Sequence, residues 1–411
     1  IEYRQSAPDK TQITGAVTIS GGSLRATTLP EDITDISAQI KITPAEINLE
    51  KLHVAFESSD FTLSGVISDP FPYLLYLDST DEDAPSPFLS FTGHSSRLDI
   101  DRLFPEAAPG SAVNRGALPA TEAPPLPLPL VKGSGRVTFD TLVYSEAELT
   151  NVTADVRIHR DIIYCQDVRG DVYGGSFTGE TTIDLREFEN PHYTGRFDAA
   201  NLLAGPAVSH FSPWDGGGSL LGRIKLSGDY DSYGWKPEDF LGSLSMNLLS
   251  SGDSLELKGF SFLAPLGVSF AEMTGMTTFK KQLATLDLRS FSSRLQFVDG
   301  KIMLNRLTGS SPKLGGWDLS GAVGLDGALD LKCAYAPSDE ILPTLFRSKG
   351  LDPKYSDLLI NPKTGRVELP LLIGGAFAKP TISIDEKKIG DIVGAALKKS
   401  AGDFLKDLFK Q

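Results

Sequence analysis

Three stretches of this chain repeat one strand pattern, and that repetition limits the fold more than any other feature. Residues 36–42 read Ile-Ser-Ala-Gln-Ile-Lys-Ile, residues 152–158 Val-Thr-Ala-Asp-Val-Arg-Ile, and residues 291–297 Phe-Ser-Ser-Arg-Leu-Gln-Phe. Each alternates apolar with polar at period two, the mark of a strand with one dry face and one wet face. Ile36, Ile40 and Ile42, Val152, Val156 and Ile158, and Phe291, Leu295 and Phe297 should line a common apolar surface. Gln39, Asp155 and Arg294 should then point to water, and the second inward position is small in every copy (Ala38, Ala154, Ser293).

The likeness continues past the strand. Ile36 and Val152 lie 116 positions apart, as do Phe61 and Phe177. Ile47, Leu49 and Leu52 map onto Ile302, Leu304 and Leu307 at a spacing of 255, and Leu63-Ser64-Gly65 onto Leu319-Ser320-Gly321 at 256. The unit is a strand, a short turn such as Asp299-Gly300, a second strand, another turn, and a third strand closing on glycine. Ile302 and Leu304 therefore join the candidate apolar surface. Further short alternating strands are expected at 135–139, 224–226, 244–248, 286–288, 329–331, 367–371 and 382–384. Helical candidates are few: 260–270, 338–346 and the C-terminal tail. The pattern predicts a mostly antiparallel β protein.

Seven prolines fall between Pro105 and Leu130. Proline supplies no ladder donor and favours unpaired extended chain, so this segment reads as a linker or strap. The expected organisation is an N-terminal β-repeat unit at 1–104, the strap at 105–130, a larger β-repeat domain at 131–385, and an amphipathic helix at 386–411. In that tail Ile389, Ile392, Val393, Leu397, Phe404, Leu405, Leu408 and Phe409 recur at helical spacing on one face, with lysines opposite. Such a helix fits a membrane interface, and equally a helix packed over an open end of the sheet.

The formal net charge of −14 argues against a nucleic-acid partner, because phosphate neutralisation needs clustered Lys and Arg. With no apolar run of about 18 residues, no helical membrane span is expected. The start, Ile1-Glu2-Tyr3, is neither an initiator Met nor a signal peptide, so a longer chain with its targeting segment ahead of residue 1 is expected. Two cysteines make neither a disulfide scaffold nor a Cys-based zinc site; Cys165 and Cys333 could pair in an oxidising compartment, and two buried free thiols is the simpler reading.

The motifs that carry chemistry fail one by one. His53, His94, His159, His192 and His210 show no helical metal spacing. The glycines at 216–222 precede a strand, not a helix, and Leu221 stands where a dinucleotide fingerprint needs glycine. Gly174-Gly175-Ser176-Phe177-Thr178 has Thr178 where a nucleophile elbow needs glycine. Asp229 to Gly234 begins like a calcium loop but has Phe240 in place of the bidentate Glu. No catalytic, metal or cofactor site is expected, and the protein reads as non-enzymatic.

The order of the strands carries a resemblance. Leu149 to Val156, then Val168 to Gly179, Phe297 to Leu304 and Leu319 to Leu331 resemble the C-terminal region of AsmA-like proteins, and Val367 to Asp385 is similar to that family's closing strands. The resemblance implies a Gram-negative envelope protein, held at the inner membrane by an N-terminal anchor and projecting a β-rich body into the periplasm. It implies an elongated, curved sheet of repeated hairpins forming a groove or open sandwich, and a kinship with TamB-like bridge-like lipid carriers. The expected function is lipid binding and transfer in support of outer-membrane lipid homeostasis. Expected partners are a phospholipid or other acyl-chain lipid, a membrane surface and outer-membrane assembly proteins. The competing reading is a structural scaffold for outer-membrane protein assembly, its dry faces sealed in a closed β-sandwich core.

Overall fold

The computed structural model describes residues 2–5, 11–25, 31–70, 87–103, 132–144, 146–211, 219–235, 237–258, 267–268, 271, 285–298, 301–324, 327–343, 360–361, 365–376 and 379–389. The chain divides into two compact units, one of residues 1–199 with 229–243, the other of 200–228 with 244–411. The protein is mostly β, and its sheet is not closed into a barrel.

In the first unit the strands follow one another in chain order. They are β1 (Glu2–Gln5), β2 (Thr11–Leu24), β3 (Ile33–Ile42), β4 (Glu46–Ala55), β5 (Asp60–Ser68) and β6 (Phe88–Asp99). The one-turn helix α1 (Ile100–Leu103) follows, then β7 (Lys132–Tyr144), β8 (Ala147–His159), β9 (Ile162–Val172) and β10 (Gly175–Asp184). Each strand from β1 to β10 pairs with the next. Short hairpins set the registers: Tyr173 and Gly174 both have positive φ (48° and 69°), the geometry a two-residue turn between twisted strands requires.

One pairing departs from the antiparallel expectation. β6 and β7 run parallel, Phe91 opposite Gly135 and Ser95 opposite Phe139. A parallel neighbour needs a connection of a dozen residues or more, and the chain from Ile100 to Val131 supplies it. The proline-rich segment 105–130 lies within that connection and outside the described residues; the strands on its two sides meet directly.

β11 (His192–Leu203), α2 (Ala204–Phe211), β12 (Ser219–Tyr233) and α3 (Pro237–Ser243) come next. The second unit carries a sequential antiparallel ladder: β13 (Ser245–Lys258), β14 (Thr285–Val298), β15 (Lys301–Ser311), β16 (Gly315–Gly324), β17 (Ala328–Pro337), β18 (Leu369–Ala376) and β19 (Lys379–Ile384). The predicted strands at 36–42, 152–158 and 291–297 are β3, β8 and β14. The candidate helix at 338–346 shows only Leu342 and Pro343 in helical form, and most of 260–270 lies outside the described residues.

The three repeats match to the level of a single irregularity. In the first, Ile40 faces Leu49 while its neighbour Gln39 faces Lys51, so β4 bulges at Glu50-Lys51. In the third, Leu295 faces Leu304 and Arg294 faces Arg306, a bulge at Asn305-Arg306. The second copy bulges at Gln166-Asp167 on β9, with Val156 opposite Cys165. The next strand repeats the slip in each copy: Leu49 and Leu52 face Gly65 and Leu63, Leu304 and Leu307 face Gly321 and Leu319, Cys165 and Val168 face Thr181 and Gly179. The cause is written in the sequence as an apolar spacing of three in place of two. A strand can keep both apolar residues on one face across that spacing only by expelling an extra residue, and all six bulge residues are exposed.

Candidate functional site

The bulges keep the dry face in phase, and the registers align it from strand to strand. In the first unit one row runs Val17, Ile40, Leu49, Gly65, Phe91, Gly135, Val156, Cys165, Thr181, each opposite the next. The neighbouring row runs Gly15, Ile42, Ile47, Ile67, Leu89, Gly133, Ile158, Ile163, Ile183. The candidates Ile40 and Val156 thus fall in one row, and Ile42 and Ile158 in the other. Ile36 and Val152 sit further along β3 and β8 on the same face.

In the second unit Leu295 and Leu304 share a row with Leu248, Gly321, Leu331, Ile373 and Ile382. Phe297 and Ile302 pair directly, and Phe291 faces Gly252 and Gly309. The registers therefore unite the strand candidates into one surface per unit. Of the tail candidates only Ile389 is described; Ile392, Val393, Leu397, Phe404, Leu405, Leu408 and Phe409 lie outside the described residues.

Burial separates the two units. Every residue of the two rows in the first unit is half-buried except Gly133, which is buried. Side chains roofed by a second sheet would be closed off from water. Here the side chains of both rows are shielded only in part. The small inward residues are the well-covered ones, Ala38 at 3%, Ala154 at 7% and Ser293 at 4% exposure. The second unit is drier at its centre: Leu304, Val323 and Leu331 form one buried cluster, and Cys333, Tyr335, Leu369 and Leu371 another.

The opposite face is polar and cross-linked. Arg136 pairs with Asp155 at 2.7 Å, Arg306 with Asp318 at 2.9 Å, and Lys41 with Glu50. Ser64 and Thr92 hydroxyls lie 2.8 Å apart, and His53 Nδ1 lies 2.9 Å from Thr62 Oγ1. Gln39 and Arg294 are exposed, and Asp155 is held in its ion pair, where the Arg136 guanidinium lowers its pKa. These exposed pairs contribute little stability each but fix which face meets water.

Polar contacts elsewhere are structural in reach. His192 Nε2 lies 2.9 Å from Asp231 and its ring stacks on Tyr233, so Asp231, read from sequence as part of a calcium-like loop, serves a cross-strand pair. Among the described residues no group of three or more His, Cys, Asp or Glu could hold a metal ion, and no helix is long and apolar enough to cross a membrane. No protein-family model, curated protein or solved structure matches the chain.

Sequence reasoning missed two parts of the surface. Phe91 and Leu89 on β6 join it through the parallel pair, which alternation cannot foresee. Cys165 joins through the β9 bulge, whose signal was the three-residue apolar spacing. Both cysteines are free. Burial, with Asp318 nearby, pushes the Cys333 thiol up to about 12, and burial also raises Cys165. The thiolate is the reactive form, so at pH 8 Cys333 should react with a disulfide reagent only on unfolding, and Cys165 slowly. Immediate release of two thiol equivalents from the native protein would contradict this.

Proposed function

We propose that this protein is a non-enzymatic lipid-binding protein that carries acyl chains along the apolar face of its sheet. One observation supports the reading most: two aligned, largely apolar rows in the first unit, only half-buried, with an ion-paired face behind. Backbone donors and acceptors inside the ladder are used by neighbouring strands, so what faces the occupant is mostly hydrocarbon, with Cys165 and Thr181 at one end of a row. A hydrocarbon chain asks nothing more of its site, and about eight strand residues span roughly 26 Å, enough for an acyl chain to lie down. The half-burial of both rows disfavours a sealed sandwich core in this unit. The resemblance of the strand order to AsmA-like proteins supports extending the proposal to a carrier in the Gram-negative periplasm, held at the inner membrane and serving outer-membrane lipid homeostasis.

Mass spectrometry of organic extracts from the purified full chain tests this. Phospholipid in at least stoichiometric amount is expected; folded protein that extracts lipid-free, and stays so after incubation with phospholipid vesicles, would refute it. The tail supplies a separate contact with the membrane. Asp385 caps its first turn, accepting from the Lys388 N–H at 3.0 Å, and Ile389 is half-buried where residues 386–388 are exposed. Full-length protein should float with anionic vesicles and a chain truncated after Asp385 should float far less. Equal flotation would assign the tail to packing.

A further inference from the structure

One aromatic residue stands at the same repeat position in every copy: Phe61, Phe177 and Trp317, on β5, β10 and β16. Each is half-buried on the dry face, and each lies down over a glycine instead of standing away from the sheet. A Cβ on Gly170, directly opposite Phe177, would sit 2.8 Å from the ring's Cε1. One on Gly309, opposite Trp317, would sit 2.6 Å from the indole. In the first copy the opposite residue is Val54, and there the ring swings the other way: a Cβ on Gly93 would sit 2.9 Å from Phe61 Cζ. Three copies, with two different glycine placements, end in the same arrangement.

A glycine alone would leave a pit between standing Leu, Ile and Val side chains. A ring laid over it fills the pit to about the height of its neighbours. On such a level surface an unbranched chain touches along its whole length. A methyl branch lifts the chain locally, and a gap of roughly 0.5–1 Å already forfeits a quarter to a half of each dispersion contact. From this we propose that Phe61 and Phe177, on the open face of the first unit, select the cross-section of the lipid tail, admitting linear acyl chains and disfavouring methyl-branched ones; Trp317, the same position in the second unit, packs instead on the buried Cys333 and Tyr335 cluster. The inference rests on the acyl-chain reading above and names which tails that surface takes.

The test uses the full chain with cis-parinaric acid as the bound probe, displaced by palmitic acid or by the tetramethyl-branched phytanic acid. Wild type should favour palmitic over phytanic acid by roughly tenfold, the loss expected when the four branches together lift about twenty contacts. Phe61→Ala and Phe177→Ala reopen a glycine pit that holds a methyl group, so each should narrow the gap to about twofold while palmitic acid still binds. Circular dichroism checks the fold of both. If either unfolds, Phe61→Leu and Phe177→Leu, which keep apolar bulk without a flat ring, should narrow the gap part-way. Equal affinity of wild type for the two acids, or a gap unchanged in the folded variants, overturns the selection by rings and leaves lipid binding standing. Failure of wild type to bind the probe at all overturns the acyl-chain reading itself.

Discussion

Gly321→Ala should destabilise the second unit by about 3 kcal/mol or more, read as a fall in denaturation midpoint at constant slope. Gly321 has φ +134°, a conformation that side chains with a Cβ rarely adopt, and a Cβ there would lie 2.1 Å from the Asp330 carbonyl oxygen. Backbone is on the other side of that contact, so no side chain can move aside. The close approach accompanies the bulge: Gly321 faces Leu304, the residue just before Asn305-Arg306, where one extra residue increases the local twist. Gly65 stands at the same place in the first copy, opposite Leu49, with a virtual Cβ 2.4 Å from Ser90 O. Gly316→Ala in the same strand is the control. Its virtual Cβ meets nothing nearer than Gly309 O at 3.7 Å, so the change should stay within about 1 kcal/mol of wild type. Equal losses at 321 and 316 would show that the bulge does not govern this position.

That pair of glycines also marks how far the sequence could be read. Alternation located β3, β8 and β14, because a dry face and a wet face leave a period of two that nothing else in the chain imitates. The closing Leu-Ser-Gly motif was visible as well, but its reason was not: the carbonyl that excludes a side chain at Gly321 belongs to β17, and its approach accompanies a bulge two strands away. The direction of β6 against β7 was hidden for a related reason, since alternation is the same in a parallel and an antiparallel strand. The candidate surface was legible residue by residue and illegible as a whole. Rows such as Val17 to Thr181 exist only because turn lengths and bulges bring successive strands into register. Whether the rows were roofed could not be read at all, because Ile40 under a second sheet and Ile40 under water have the same neighbours in sequence.

Ile40→Asp and Leu371→Asp should therefore part company, although both place a carboxylate on a predicted inward stripe. Leu371 is 1% exposed, packed among Cys333, Tyr335 and Leu369 with Ile373 and Ile384 against them. An ionised carboxylate there has no water and no cationic partner within that cluster, and the lost leucine adds a cavity. The cavity and the buried charge together should cost more than about 5 kcal/mol, the whole stability of a marginal domain, so the second unit should lose its cooperative transition. Ile40 is half-buried in the open row, between Val17 and Leu49. Its replacement can turn the charge toward the open side, at a cost of about 1–2 kcal/mol. Lipid, however, would now meet a charge in the centre of its path, and the amount recovered in organic extracts should fall severalfold while the melting transition remains. Leu371→Asp would remove lipid only by removing the fold. Should Ile40→Asp instead abolish the transition of the first unit, the rows would be a closed core in solution and the acyl-chain reading would lose its support. Folded, lipid-depleted Ile40→Asp beside unfolded Leu371→Asp is the outcome that ties an open apolar face to what it carries.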